Sequence, residues 1–436
     1  MSPMITFGVM AVILIAGIFS GSMVALAMGL VAALSMAFFL GVPNLAGIGP
    51  SLWGTSYSFI LTCIPLFILM GCLLSESGAS KRLFDALFLL LRRLPGGLML
   101  SVLLGGGVLG AATGSAVADT ATIGVVAYPE MSRRGYHRGL SAAAIAVGGT
   151  VGILMPPSII MIIFGGITMT SIGHLFIGGI VPAILMVTLL MISVMIMVKI
   201  NPALVPPVES ARTPLKEDLL TFVRVIPVIL LIVFVLGSIY VGLATPTEVA
   251  SIGALIALVL SFVYRGFSRK MLRDALRTTV KLSSFIIFIV CASSLVMYSV
   301  TYLNVIPMLT EKIVAAELSP YLLIGLTFAA IILLGCIIET MSLTVLMVPI
   351  LFPLITSLGF HPVYFGVMFV ICIQISLVTP PVGLCLYTVQ GIAKEVPVIS
   401  IAKSSIPFII AQVAVLVICT IFPELVLWLP GTMLTR

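Results

Sequence analysis

The 436-residue sequence predicts an all-α polytopic membrane protein built from two inverted repeats, each with five transmembrane helices and one re-entrant helical hairpin. Composition is the first of three observations behind this. Hydrophobic residues make up 61% of the chain and charged residues 8%, and apolar runs near or above 18 residues recur from Met4 to Trp428, which excludes a soluble core. The second is self-similarity. An offset of 224 residues carries Pro129 onto Pro353, Gly135-Tyr136-His137 onto Gly359-Phe360-His361, and Pro156-Pro157 onto Pro380-Pro381. The third is the placement of basic residues, taken up below.

In the first half the crossings fall near residues 5–20, 22–40, 58–75, 138–162 and 174–199. The same offset puts those of the second half near 229–244, 246–264, 282–299, 362–386 and 398–423. The first run has no basic stretch or cleavage site ahead of it and is expected to be a retained helix. Between the third and fourth crossings lies an apolar block with a turn-prone tip, Thr113-Gly114-Ser115 in one half and Glu339-Thr340 in the other. Each limb is expected to span about 14–16 residues, roughly 21–24 Å of helix. A hydrocarbon core is about 30 Å thick, so a hairpin that leaves by the face it entered fits better. The predicted organisation is a first repeat at 1–199, with hairpin 97–128 and broken helix 138–162, and a cytoplasmic linker at 200–224. The second repeat covers 225–436, with hairpin 321–352 and broken helix 362–386.

Five crossings is an odd number, so the second repeat starts on the opposite side of the membrane from the first. Charge agrees with that inversion. The turn from Pro129 to Arg138 carries Arg133, Arg134 and Arg138, whereas Pro353 to Pro362 carries no lysine or arginine. That is the contrast expected between cytoplasmic and external turns. Arg92-Arg93, the linker and Arg265 to Lys281 fall on the cytoplasmic side of the ten-crossing scheme, with both termini outside. Residues 76–91 and 265–281 are expected to be amphipathic interfacial arms. The net charge of +7 follows from this topology, and no nucleic-acid partner is needed to explain it.

The double prolines carry the chemistry. Pro156 and Pro157 supply no N–H, so a continuous helix would strand the carbonyls of Gly152 and Ile153, and Pro380 and Pro381 would strand those of Ser376 and Leu377. At membrane depth such backbone is tolerated only inside protein or along a cavity, where freed carbonyl oxygens suit a hard cation such as Na⁺. Repeats that each interrupt a membrane helix at the same position are the sequence pointer to a secondary transporter. The hairpin tips offer the complementary surface. Ser115 and Thr340 are expected to cap the returning limbs, whose N-terminal amides can receive a carboxylate. The candidate substrate-binding residues are Gly114, Ser115, Asp119, Pro157, Ser158, Thr340, Pro381 and Gly383. The candidate Na⁺ ligands are Ser115, Gly152 and Met155 at one break, and Glu339, Ser376 and Thr379 at the other. Asp119 and Glu339, carboxylates at hairpin depth, either serve ligand or cation binding or tie their hairpins to neighbouring helices.

Other features are structural. Thr245-Pro246-Thr247-Glu248 has the pattern of a capping box. Gly105-Gly106-Gly107 lacks the context of a phosphate loop and serves close helix packing. The seven cysteines lie in apolar segments without metal-ligand spacing, and His137, His174 and His361 form no catalytic set. No paired carboxylates, Cys/His pair or His cluster stands at catalytic spacing, which argues against an intramembrane enzyme.

Several runs together resemble the large membrane subunit of tripartite ATP-independent periplasmic (TRAP) transporters. They are Gly114-Ser115-Ala116-Val117-Ala118-Asp119, Pro129-Glu130-Met131 with Gly135-Tyr136, Gly152 through Ser158, Ser171-Ile172-Gly173 with Leu175-Phe176, Thr245 through Glu248, and Thr379-Pro380-Pro381-Val382-Gly383. The resemblance implies an elevator-type fold of scaffold and moving transport domain in the bacterial inner membrane, with Na⁺-driven uptake of organic anions. It also implies two partners, a small four-helix membrane subunit and a periplasmic substrate-binding protein. H⁺ is the alternative coupling ion, and a stand-alone anion carrier of the divalent-anion symporter type is the alternative function. Glu339 stands where the family more often has aspartate.

Overall fold

A computed structural model describes residues 8–10, 12–14, 16–17, 23–91, 94–206, 223, 226–264, 266–304, 307–308, 311 and 319–433. Half of the first expected crossing lies outside these residues, and so do Arg92-Arg93 and most of the linker. All regular structure among the described residues is helical. The first half contains α1 (Val24–Ser35), α2 (Ile48–Ser56), α3 (Cys63–Glu76), α4 (Ala79–Leu91), α5 (Gly97–Thr113), α6 (Ala116–Arg133), α7 (Arg138–Val151), α8 (Ile159–Thr168) and α9 (Ile172–Ile200). The second contains α10 (Ile226–Tyr240), α11 (Pro246–Val263), α12 (Arg269–Tyr302), α13 (Pro320–Gly335), α14 (Thr340–Ser357), α15 (Pro362–Ser376), α16 (Leu384–Ile392), α17 (Val398–Ile421) and α18 (Glu424–Gly431). Adding 224 to the bounds of α6 gives those of α14. Among the described residues six helices are long and apolar enough to cross a membrane. This is a multi-pass membrane protein.

Local chemistry sets these bounds. Thr245 and Glu248 form the capping box at the start of α11, with Pro246 in the first turn where its missing N–H costs nothing. Ser268 caps α12, and the helix continues through Tyr302 without a proline or glycine in it. The expected arm at 265–281 is therefore not a separate element from Arg269 onward but the first part of a 34-residue helix. In the first half the matching stretch is interrupted. A π-helical turn at Met36–Leu40 ends α1, a 3₁₀ turn at Val42–Gly47 and α2 occupy the segment 41–56, and α3 follows as a separate helix. The limbs of the hairpins have 17, 18, 16 and 18 residues, three of them longer than expected. α18, after the last long helix, was not foreseen.

The helices form two sets that also touch each other, α3 lying against α5 and α12 against α14 and α8. In one, α12 lies against α1 and α3, and α11 lies against α3 and α10. In the other, the two hairpins enclose the broken helices: α7 packs against both α5 and α6, and α15 against both α13 and α14. The halves are interlaced there. The short helix after each break leaves its own half, so that α8 packs on α14 and α16 on α6 and α7. An aromatic cluster marks one crossing, with Phe164 of α8 edge-on to Phe352 of α14 at 5.8 Å and to Phe365 of α15 at 6.0 Å between ring centroids.

The seam between α5 and α7 is made by glycine. A Cβ at Gly106 would overlap the carbonyl of Gly148, and one at Gly110 would overlap the Cα of Gly152, so the two backbones meet directly. Gly110→Ala should lower stability by at least about 1–3 kcal/mol, the usual cost of overpacking. Gly325→Ala on α13, where a Cβ meets nothing within 4 Å, is the control. Thermal melts of the purified variants in detergent measure both, and equal melting temperatures would refute the seam.

Candidate functional site

Each helix break lies against the tip of the hairpin in its own half. At the first, α7 tightens through bonds from Ile153 N to Thr150 O and Leu154 N to Val151 O. The Pro156-Pro157 pair, joined by a cis peptide, ends the helix, and Ser158 restarts it by accepting from Met161 N at 3.4 Å. Gly152, Pro156, Pro157 and Ser158 are buried, and Met155 is partly so. The hairpin tip covers this break. Gly114 turns with φ +65°, and a Cβ there would sit 2.7 Å from Ile159 Cγ1, so position 114 needs glycine for both conformation and space. Ser115 caps α6 by accepting from Ala118 N at 3.5 Å. Asp119 is buried in the first turn of α6, and a Cβ at Gly152 would lie 2.8 Å from its Oδ2. Met155 Cε comes within 3.6 Å of a Cβ at Gly107. Of the first predicted set, then, Gly114, Asp119, Gly152, Met155, Pro157 and Ser158 are gathered around one seam, with Ser115 at its edge.

At the second break, Ser376 Oγ donates to Ile373 O at 2.7 Å and Thr379 Oγ1 to Ile375 O at 2.6 Å. Both hydroxyls thus close the last turn of α15. Pro380-Pro381, again cis, follows, and Gly383 enters α16 with φ +60°. Gly383 N donates to Cys336 O in the second hairpin at 3.4 Å, and the Ser376 side chain packs on Gly335. Unlike the first break, this one is open, with Pro380, Pro381 and Glu339 exposed.

Glu339 corrects one expectation. The cap of α14 is Glu339, whose Oε2 accepts from Met341 N at 2.9 Å, Ser342 N at 3.1 Å and Ser342 Oγ at 3.3 Å. Thr340 is the first helical residue instead. Ser115 and Glu339 are the repeat-equivalent positions, so register and not residue type decides the cap. The consequence is electrostatic. The cap of α14 is a carboxylate, whereas α6 has a hydroxyl at its cap and a carboxylate, Asp119, in its first turn.

Other polar groups at these breaks were not visible in the sequence. Gln374, two residues before Ser376, is fully buried, and neither amide atom has a partner among the described residues. Its repeat equivalent is Thr150, which receives a 3.4 Å bond from Gln412 of α17. Cys385 of α16 lies beside Thr120 and Asp119 of α6. Nothing in the sequence marked them, because helices of two halves bring them together. Among the described residues no group of three His, Cys, Asp or Glu side chains could hold a metal ion. The first break has backbone oxygens, hydroxyls and one buried carboxylate, a donor set that suits a hard monovalent cation.

Interrupted membrane helices facing hairpin tips define a membrane carrier of the secondary-transporter class. The sequence matches the family described as "Tripartite ATP-independent periplasmic transporter, DctM component" over residues 11–425, and the chain belongs to that family. It is 30% identical to the C4-dicarboxylate TRAP transporter large permease protein DctM of Pseudomonas aeruginosa, covering 93% of each chain. It is 31% identical to the 2,3-diketo-L-gulonate TRAP transporter large permease protein YiaN of Escherichia coli, covering 95% of this chain and 96% of that one. Among solved structures it shares the fold of the Alcanivorax borkumensis YdaH transporter, with TM-score 0.63, 15% identity, and coverage of 88% and 90% of the two chains. The protein is a TRAP-type secondary transporter subunit in the bacterial inner membrane, not an enzyme.

The capping role separates two functions of Glu339. Glu339→Ala should lower stability by about 0.5–2 kcal/mol, the range for a lost N-cap, while Glu339→Ser restores most of it with no carboxylate. Melting temperatures of the three proteins test the cap, and equal values for wild type and Glu339→Ala would exclude it.

Proposed function

We propose that this chain is the large membrane subunit of a sodium-coupled importer that takes a small organic anion from a periplasmic binding protein and works beside a small four-helix membrane subunit. The anion is a carboxylate such as a C4-dicarboxylate, keto acid or sugar acid. One observation carries the reading: each double-proline break lies against its own half's hairpin tip. Break carbonyls and the amide end of a returning limb are thereby brought together in each half, although at the second break the Ser376 and Leu377 carbonyls, expected to be stranded, accept from Thr379 N at 3.2 Å and from Cys385 N at 3.1 Å. The cation belongs with the oxygens, at Ser115, Gly152 and Met155 in one half and Glu339, Ser376 and Thr379 in the other. The substrate carboxylate belongs at the amide end of α6, beside Gly114, Ser115, Asp119, Pro157 and Ser158, because its counterpart on α14 is occupied by Glu339. Thr340, Pro381 and Gly383 line the other approach.

The halves are read as inverted repeats, with the turn at Arg133-Arg134 cytoplasmic and that at Gly359 external. Transport is read as elevator movement of the hairpins and broken helices against the α1, α3, α10, α11 and α12 group. The division of the packing into two groups supports this. Both named relatives are permeases for carboxylate-bearing substrates, which supports the substrate class. H⁺ coupling and a stand-alone carrier are the competing readings.

The test is uptake of radiolabelled carboxylates into proteoliposomes holding the large subunit with or without its small subunit and binding protein. A sodium gradient should drive uptake only in the complete system. Ser115→Ala and Thr379→Ala should raise the sodium concentration for half-maximal transport. Linkage between ion and substrate typically amounts to about 5–150-fold. Uptake that follows a proton gradient and ignores sodium would refute the coupling. Saturable high-affinity uptake by the large subunit alone would refute the tripartite assignment.

A further inference from the structure

Three contacts fasten the first hairpin to the other half of the chain along one face of α6, at positions spaced four residues apart. Thr120 meets Cys385 at the start of α16. Gly124 meets Ile392 at its end, where a Cβ would lie 2.6 Å from Ile392 Cδ1. Tyr128, buried, donates its hydroxyl to Glu395 Oε1 at 2.7 Å, just beyond α16 and ahead of α17. The first is a polar side-chain contact and the second is steric, but the third is a hydrogen bond to a carboxylate.

The repeat supplies an internal comparison. The position equivalent to Tyr128 is Phe352 on α14, which also faces the other half but does so through rings, edge-on to Phe164 at 5.8 Å. The two hairpins therefore differ here by one hydroxyl, and that hydroxyl has found a carboxylate. The bond from Tyr128, with the charge of Arg138 as a lesser cause, holds the Glu395 carboxyl below its usual range. Glu395 is thus an anion that Tyr128 and Arg138 both favour, at the end of the hairpin away from its tip.

We propose that Tyr128 and Glu395 are a positioning pair that latches the first hairpin to the turn after α16 and so holds the Gly114-Ser115 tip closed over the first break, while the second hairpin, with Phe352 at the matching position, has no such latch. The pair touches neither ion nor substrate. It acts through α6, a rigid helix with Ser115 at its start, so that release at Tyr128 frees the tip. The proposal rests on the topology given above, in which this hairpin opens to the cytoplasm.

Side-specific labelling tests it. In a variant lacking the seven native cysteines, a single cysteine replaces the exposed Val117 beside the tip, or Ile337 in the tip of the second hairpin. The complete complex in inside-out and right-side-out vesicles is treated with an impermeant maleimide. Tyr128→Phe, which removes only the hydroxyl, should speed labelling at position 117 from the cytoplasmic face by about fivefold, the effect of one net hydrogen bond. Labelling at position 337 from the external face should not change. Glu395→Ala, in an exposed turn, should do the same. Glu395→Gln, which keeps an acceptor oxygen, should give an intermediate rate. The double variant should equal either single one, because both remove one interaction. Unchanged labelling at position 117 in both variants would overturn the latch, and so would an equal rise at position 337, which would mean general loosening. Labelling of position 117 only from the external face in the otherwise unaltered protein would overturn the topology instead.

Discussion

A bilayer offers backbone amides and carbonyls no water, so every helix that stops inside it must hand its last polar groups to protein or ligand. This chain stops two helices there with paired prolines, and the rest of the arrangement follows. Each break needs a cover that approaches closely and brings polar groups. The hairpin tips are that cover. Close approach explains why the α5–α7 seam is glycine against glycine at 106/148 and 110/152. The need for polar groups explains why hydroxyls and carboxylates gather at the restarts, with Ser115, Ser158 and Glu339 each capping a helix.

The second constraint is interlacing. Because α8 leaves its own half to pack on α14, and α16 to pack on α6 and α7, neither hairpin can move without disturbing the short helix beyond the other half's break. Packed interiors resist gradual deformation and favour discrete alternatives. A carrier that moves between discrete arrangements needs such coupling. Here the covalent order of the chain provides it.

Much of this was legible in the sequence because it depends on spacing. The 224-residue offset located both hairpins and both breaks, since α6 and α14 have equivalent bounds and the prolines lie at matching positions. Places where the halves diverge were less legible. α12 runs on from its interfacial start because Ser268 begins it and nothing breaks it before Tyr302, whereas its counterpart is split into α2 and α3. The cap of α14 was expected at Thr340 because threonine caps well, but register put Glu339 there, and its longer side chain still reaches two backbone amides. Gln374 and the Tyr128–Glu395 bond left no trace in the pattern. The amide is one polar residue inside an apolar run, and the bond joins residues 267 apart.

The differences between the halves carry as much meaning as the repeat. A symmetric protein would offer two equal tips and could not tell an anion from a cation by position. In this chain Ser115 puts a hydroxyl at the cap of α6, with the Asp119 carboxylate in its first turn, while the equivalent Glu339 sets a carboxylate at the cap of α14. A helix N-terminus attracts anions because its dipole is unopposed, and a carboxylate placed there removes that attraction while offering oxygen to cations. One substitution between repeats therefore gives the two tips different caps. The same step recurs along the hairpins, where Tyr128 has a hydroxyl and Phe352 does not. Duplication supplied the framework of breaks and covers, and single-residue divergence at matched positions gave each half a different chemistry.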